Sequence, residues 1–167
     1  MQLRLATPAD HEVVGRVTVA AYAPFLGGER PDTGYVEQLR DAARRAREAE
    51  LWVACSAAGE VLGSVTICPE GSPWRELARP GEGEFRMLSV DPAAQGRGVG
   101  RALVEHAIAH FRSDGATGVV LCSMDVMTGA HALYGRLGFV RDPALDWSPA
   151  PGVQLLSFRL TFATEES

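Results

Sequence analysis

Gln95-Gly96-Arg97-Gly98-Val99-Gly100 stands between an apolar run that stops at Asp91-Pro92 and a pattern in which Val99, Leu103, Ala107, Ile108 and Phe111 recur at helical spacing. A strand, a glycine loop and a helix start follow in that order. With side chains missing at Gly96, Gly98 and Gly100, the backbone can approach a ligand closely and aim several N–H groups at it. The helix that begins there adds its unpaired N–H groups and the positive end of its dipole. The stretch therefore predicts an α/β unit with an anion cradle, and a phosphate-bearing ligand is the first expectation.

Immediately upstream, Glu84 to Val90 alternates, with Phe85, Met87 and Ser89 on one face and Glu84, Arg86, Leu88 and Val90 on the other, which predicts a strand. Downstream, Ser113-Asp114-Gly115 closes the helix and Gly118 to Cys122 reads as a short buried strand. Ala130, Leu133, Tyr134 and Leu137 mark another helix, ended by Gly138. Phe139-Val140 begins a strand and Leu155 to Thr161 forms the last one, with a loop rich in proline and glycine from Asp142 to Gly152 between them.

Towards the N-terminus, Leu3-Arg4-Leu5 reads as a strand, and Thr7-Pro8-Ala9-Asp10 supplies a cap, a first-turn proline and a capping-box acid for a helix from Pro8 to Tyr22. Pro24, Gly27, Gly28 and Pro31 break the pattern, and Tyr35 to Glu50 predicts a second, surface helix. Its Arg40, Arg44, Arg45 and Arg47 are interleaved with acids and read as a solvated face. Leu51 to Cys55 and Val61 to Ile67 flank Ala57-Ala58-Gly59-Glu60 as a hairpin, and Pro69 to Gly83 is a long irregular loop around Trp74. The order is strand, two helices, three strands, helix, strand, helix, two strands, an α/β domain around a mixed sheet.

A chain of 167 residues with 46% hydrophobic and 22% charged residues suits a single domain over residues 1–167. A net charge of -5 argues against general binding to nucleic acid or anionic membranes and suits a cationic acceptor. No stretch approaches the roughly 20 apolar residues of a membrane span and Met1 to Leu5 lacks a secretory signal's apolar region, so a cytoplasmic location is expected. Cys55, Cys68 and Cys122 are odd in number and set in apolar runs, which suits reduced core thiols. His106 and His110 have metal-ligand spacing but lack the surrounding motif, so surface positions and no metal are expected. His131, beside Tyr134 on the later helix, reads first as a helix-surface residue and second as a group near the acceptor.

The phosphate ligand can be narrowed. A P-loop requires Gly-Lys-Ser/Thr after Gly-x-x-x-x, but Arg101 stands five residues beyond Gly96, and the dinucleotide fingerprint fails at the same position. What the loop does match is Gln/Arg-x-x-Gly-x-Gly/Ala, and Ala130-x-x-Leu133-Tyr134-x-x-Leu137-Gly138-Phe139 resembles a second signature of the same family. The chain resembles the GCN5-related N-acetyltransferases (GNAT), with element order agreeing from residue 3 to about residue 162. The resemblance implies the acyl-CoA N-acyltransferase fold: a mostly antiparallel mixed sheet of six to seven strands, flanked by about four helices.

It also implies acetyl-CoA as co-substrate, with the pyrophosphate on Gln95, Gly96, Arg97, Gly98, Val99, Gly100 and Arg101 and the pantetheine arm beside Leu88, Ser89 and Val90, where the family often carries a bulge. Many members have an asparagine seven residues before the tyrosine; here that position is Met127, followed by Thr128, and Ala130 lies beside it. Tyr134 matches the family's general acid and Glu84 its general base, with Glu82 a competitor two residues away. An alkyl ammonium has a pKa of about 10, so a base is useful, and a phenol that stays protonated near neutrality can donate to a departing thiolate. A backbone N–H near Leu88 would hold the oxyanion. The expected activity is acetyl transfer to a primary amine of a small molecule, with the segments Tyr22 to Tyr35, Pro69 to Gly83 and Asp142 to Gly152 lining the acceptor. A homodimer, an idle acyl-CoA-binding module and a longer acyl donor remain open.

Overall fold

In the computed structural model, which describes residues 1–26 and 33–164, the apolar and alternating runs become eight strands of one sheet. They are β1 (Gln2–Leu5), β2 (Glu50–Cys55), β3 (Val61–Cys68), β4 (Gly83–Val90), β5 (Gly118–Met124), β6 (Val140–Arg141), β7 (Trp147–Ala150) and β8 (Val153–Thr161). The order is β1-β2-β3-β4-β5-β8-β6, with β7 also on β8, and β4–β5 is the one parallel pairing among the described residues. Every residue of β3 is buried, as a central strand covered on both faces must be.

Helices α1 (His11–Tyr22), α2 (Thr33–Arg40) and α3 (Ala42–Glu48) cover one face, and α4 (Val99–Ser113) and α5 (Thr128–Arg136) cover the other. The larger core lies under α4 and α5, where Phe85, Leu103, Phe111, Leu121, Phe139 and Phe158 are buried. Side chains of this size contribute about 1.5–3 kcal/mol each on full burial. The fold expected from the resemblance is therefore found, with one strand and one helix more than anticipated.

The differences have local causes. The first helix starts as a 3-10 turn over Pro8–Asp10. There Asp10 accepts from the Thr7 N–H (2.7 Å), the Thr7 hydroxyl (2.9 Å) and Arg4 (2.7 Å), and the Arg4 hydrogen bond chiefly holds its pKa far below the usual carboxylate range. The predicted helix from Tyr35 to Glu50 is two helices, because Asp41 leaves helical geometry at ψ 67° and caps the Arg44 N–H at 3.0 Å. Glu50 already belongs to β2.

Arg45, expected on a solvated face, is wholly buried and donates to the carbonyls of Gln38 and Leu39, each at 2.8 Å, tying α3 to the end of α2; burial lowers its pKa to about 10. Strand β7 lies in what the sequence offers as a loop. The breaks expected at Gly27, Gly28 and Pro31 fall outside the described residues. Cys55, Cys68 and Cys122 are free, the first two buried and the third partly so. Among the described residues no helix is long and apolar enough to cross a membrane, and no group of three metal-ligating side chains occurs.

Candidate active site

The site begins with an irregularity in β4. Ser64 of β3 faces Ser89 and Thr66 faces Arg86, so β4 holds one residue more than β3 over this interval. The extra residue forms a β-bulge at Met87, whose φ of 51° is the only positive value of a non-glycine among the described residues. Side-chain alternation changes face there. Phe85, Leu88 and Val90 pack into the core under α4 and α5, whereas Met87 joins Leu39, Cys68 and Trp74 on the opposite face, and the Ser89 hydroxyl lies 3.2 Å from that of Thr18 on α1. The grouping expected from strict alternation, with Phe85 beside Met87 and Ser89, is corrected on this point.

A bulged strand bends, and β4 pairs with β5 only at Gly83–Val119 and Glu84–Val120. Beyond those pairs lies a pocket between the two strands. It is lined by residues 85–88 of β4, residues 121–124 of β5, Met127, Ala130 and Tyr134 of the α5 region, and Tyr22 and Tyr35 from the other face. Of the three segments expected to line the acceptor, only the first contributes described residues here. Among the polar lining residues, the sequence assigns no site role to Arg86 and Ser123, and to Cys122 only that of a core thiol. Their strands were legible, but which strand edges separate was not.

The glycine loop follows β4 directly. Gly98 caps α4 in the left-handed conformation (φ 79°) and Gly96 also has positive φ (76°); a Cβ at either would meet nothing within 4 Å, so backbone geometry and not crowding requires glycine. The Ala102 N–H donates to the Gly98 carbonyl at 3.0 Å, so the amides of Val99, Gly100 and Arg101 precede the first intrahelical hydrogen bond. A Cβ on Gly100 would sit in ordinary contact with Val90 (3.5 Å) and Leu133 (3.6 Å), which places this helix start against both β4 and α5. Gln95 and Arg97 are exposed, and Arg101 is paired with Glu105 at 2.8 Å on the helix surface.

Tyr134 is 4% exposed, with its ring centroid 6.2 Å from that of Phe85, 5.9 Å from Phe139 and 5.7 Å from Phe158. Burial pushes its pKa well above the ordinary phenol value, so it remains protonated. Its hydroxyl has no hydrogen-bond partner among the described residues, while its side chain lines the pocket.

Glu84 has a different environment from the one expected of a base. It is wholly buried, does not line the pocket, and accepts from the N–H groups of Glu76 (2.9 Å), Leu77 (3.0 Å) and Ala78 (3.2 Å). Its carboxylate organises the loop before β4. Glu82 is also engaged, with Arg159 and with the Arg79 N–H. Arg86 bonds the Trp74 carbonyl (3.1 Å) and pairs with Glu76 (3.1 Å), whose pKa is raised chiefly by burial. His106 packs against Trp52 with the rings tilted and their centroids 4.1 Å apart, and His110 pairs with Glu50 at 2.8 Å, so both are half-buried against β2.

Comparison with known proteins agrees with this geometry. Residues 10–139 match the family model described as the acetyltransferase (GNAT) family. A mycothiol acetyltransferase of Cellulomonas flavigena is 33% identical over 88% of this chain and 44% of its own length, so the chain spans under half of that relative. A GNAT-family acetyltransferase of Staphylococcus aureus superposes with a TM-score of 0.74 at 13% identity, over 96% of this chain and 98% of that one. A GNAT-family acetyltransferase of Brucella melitensis, solved in complex with acetyl-CoA, gives 0.61 at 28% identity, over 99% and 90%.

Proposed function

Since the chain belongs to the GNAT acetyltransferase family, we propose that it transfers the acetyl group of acetyl-CoA to a primary amine by direct attack in a ternary complex. The observation that carries this reading is the succession of two features along β4: a cleft beside the bulge at Met87, where β4 and β5 no longer pair, and a glycine-capped helix start that follows β4 and lies against Val90 and Leu133. A pantetheine arm fits the first and a pyrophosphate the second. Amides of the loop and of the first turn of α4 bind the phosphate oxygens, and the α4 dipole favours their charge. Arg97 and Arg101 add little, because exposed charges are screened by water. The arm lies along Leu88, Ser89 and Val90 on one side and Met127 and Ala130 on the other, with Met127 offering an apolar contact. The side chain of Ser89 is committed to α1, so its part is played by backbone.

The thioester then lies by Leu88 and Tyr134. The Leu88 N–H stabilises the oxyanion of the tetrahedral intermediate, and Tyr134 donates to the sulfur as the C–S bond breaks. Relatives named mycothiol acetyltransferase favour a small-molecule acceptor. Glu84, with three N–H donors, serves this chemistry by holding the loop at residues 76–78 rather than as base.

Calorimetric titration with acetyl-CoA tests the placement of the pyrophosphate. Gly98→Val forces a β-branched residue into positive φ at a cost of about 1–2 kcal/mol and displaces the helix cap. Affinity is expected to fall by about tenfold or more. Unchanged affinity in a folded Gly98→Val protein would place the phosphates elsewhere.

A further inference from the structure

The acceptor nitrogen must lose a proton, and the pocket's own titratable groups are poor at taking it. Among the described lining residues these are Tyr22, Tyr35, Tyr134, Cys122 and Arg86. Burial raises all three phenols and pushes the Cys122 thiol up to about 11, so each is a protonated donor near neutrality. A guanidinium accepts nothing. Glu84 and Glu82 do not line the pocket and are already engaged by backbone N–H groups and, for Glu82, by Arg159.

One side chain in the lining leads out of the pocket. Ser123 on β5 is 7% exposed, and its hydroxyl oxygen lies 3.2 Å from Nε2 of His131. His131 is half-buried on α5, three residues before Tyr134, so the two side chains are neighbours on the helix surface. Its ring packs on Phe158 at 5.0 Å between centroids, which limits its motion.

On the reading that the chain is an N-acetyltransferase, we propose that Ser123 and His131 form the proton relay of the acceptor site. As the nitrogen lone pair forms the C–N bond, the N–H proton passes to the Ser123 oxygen while the Ser123 proton passes to Nε2 of His131. The imidazolium then releases its proton to solvent, the electrons of the broken C–S bond stay on the sulfur that Tyr134 protonates, and the Tyr134 phenolate takes a proton back from solvent, so no net proton is consumed. In the structure the Ser123 hydroxyl donates to the Met127 sulfur at 3.6 Å, a weak acceptor from which it is readily redirected. The groups facing His131 are the Met124 backbone, Asp125, and Arg141 across Phe158. Burial, as the largest effect, lowers the imidazole pKa, so the ring is neutral and able to accept near pH 7.

The test uses the amine that gives the fastest thiol release from acetyl-CoA with the wild-type protein. His131→Ala is expected to lower kcat about 100-fold, with acetyl-CoA affinity unchanged. Added imidazole should restore rate in proportion to its neutral form, a response that a merely structural role would not give. Ser123→Ala should show the same loss without imidazole rescue. Wild-type rates in either variant, or a loss in His131→Ala that imidazole leaves untouched while the melting temperature is normal, would overturn the relay and leave the transfer reading intact. No thiol release by the wild-type protein with any amine would remove both.

Discussion

Tyr134→Phe is expected to lower kcat for acetyl transfer by about 100- to 1,000-fold, the range of a lost proton donor, with the Kd for acetyl-CoA changed by no more than about twofold. The aromatic cage of Phe85, Phe139 and Phe158 holds the ring, and phenylalanine fills the same space. The hydroxyl has no hydrogen-bond partner among the described residues, so its removal leaves no buried donor or acceptor unpaired. Stability should be unchanged or slightly higher. Because burial raises the pKa of this phenol, its donor form persists as pH rises through and beyond neutrality, and the wild-type rate should show no alkaline fall from this group until well above pH 10. Steady-state kinetics with calorimetry separate the two effects. A Tyr134→Phe protein with wild-type kcat would show that the thiolate leaves unaided.

Glu84→Gln has its expected effect on folding rather than on proton transfer. The carboxylate is buried and its Oε2 accepts from all three backbone donors, with the Leu77 N–H also 3.3 Å from Oε1, whereas a glutamine oxygen at the Oε2 position is a neutral, weaker acceptor and its NH2 then faces the Leu77 N–H. The loss is expected to be about 2–4 kcal/mol, since each hydrogen bond to a charged acceptor contributes about 1.5–3 kcal/mol and neighbouring ones are not additive. For a chain of this size that lowers Tm by roughly 5–15 °C. The pH profile of the remaining activity should keep its shape. A normal Tm with a 100-fold lower kcat and a flattened acid limb would instead make Glu84 the base.

The contrast between these two residues shows what the sequence carries. Tyr134 is legible because its helical stripe, its distance from the glycine loop and its chemistry are all local properties. The glycine loop is legible for the same reason, since positive φ and a helix cap are set within a few residues. Glu84 is legible as a residue but not in its hydrogen bonding, which depends on residues 76–78 folding back over it. A bulge near Leu88 is expected only from the family resemblance; its place at Met87 is a property of two strands, set by the register against Ser64 and Thr66, which shows the extra residue. That bulge decides which side chains face the cleft, so the strand was predicted while its faces were not. Strand β7 was hidden by Pro149 and Pro151, which read as loop residues; at a sheet edge, where β7 pairs only with β8, a missing N–H costs little. Ser123 gave no signal inside an apolar run until its contact with His131 could be seen.

Incubating the wild-type protein with acetyl-CoA and a panel of primary amines, then quantifying free thiol and acetylated amine together, tests the central claim most directly. The account predicts equal amounts of the two products with at least one amine. Tight calorimetric binding of acetyl-CoA with no thiol and no acetylated amine across the panel would contradict it and make the chain an acyl-CoA-binding module.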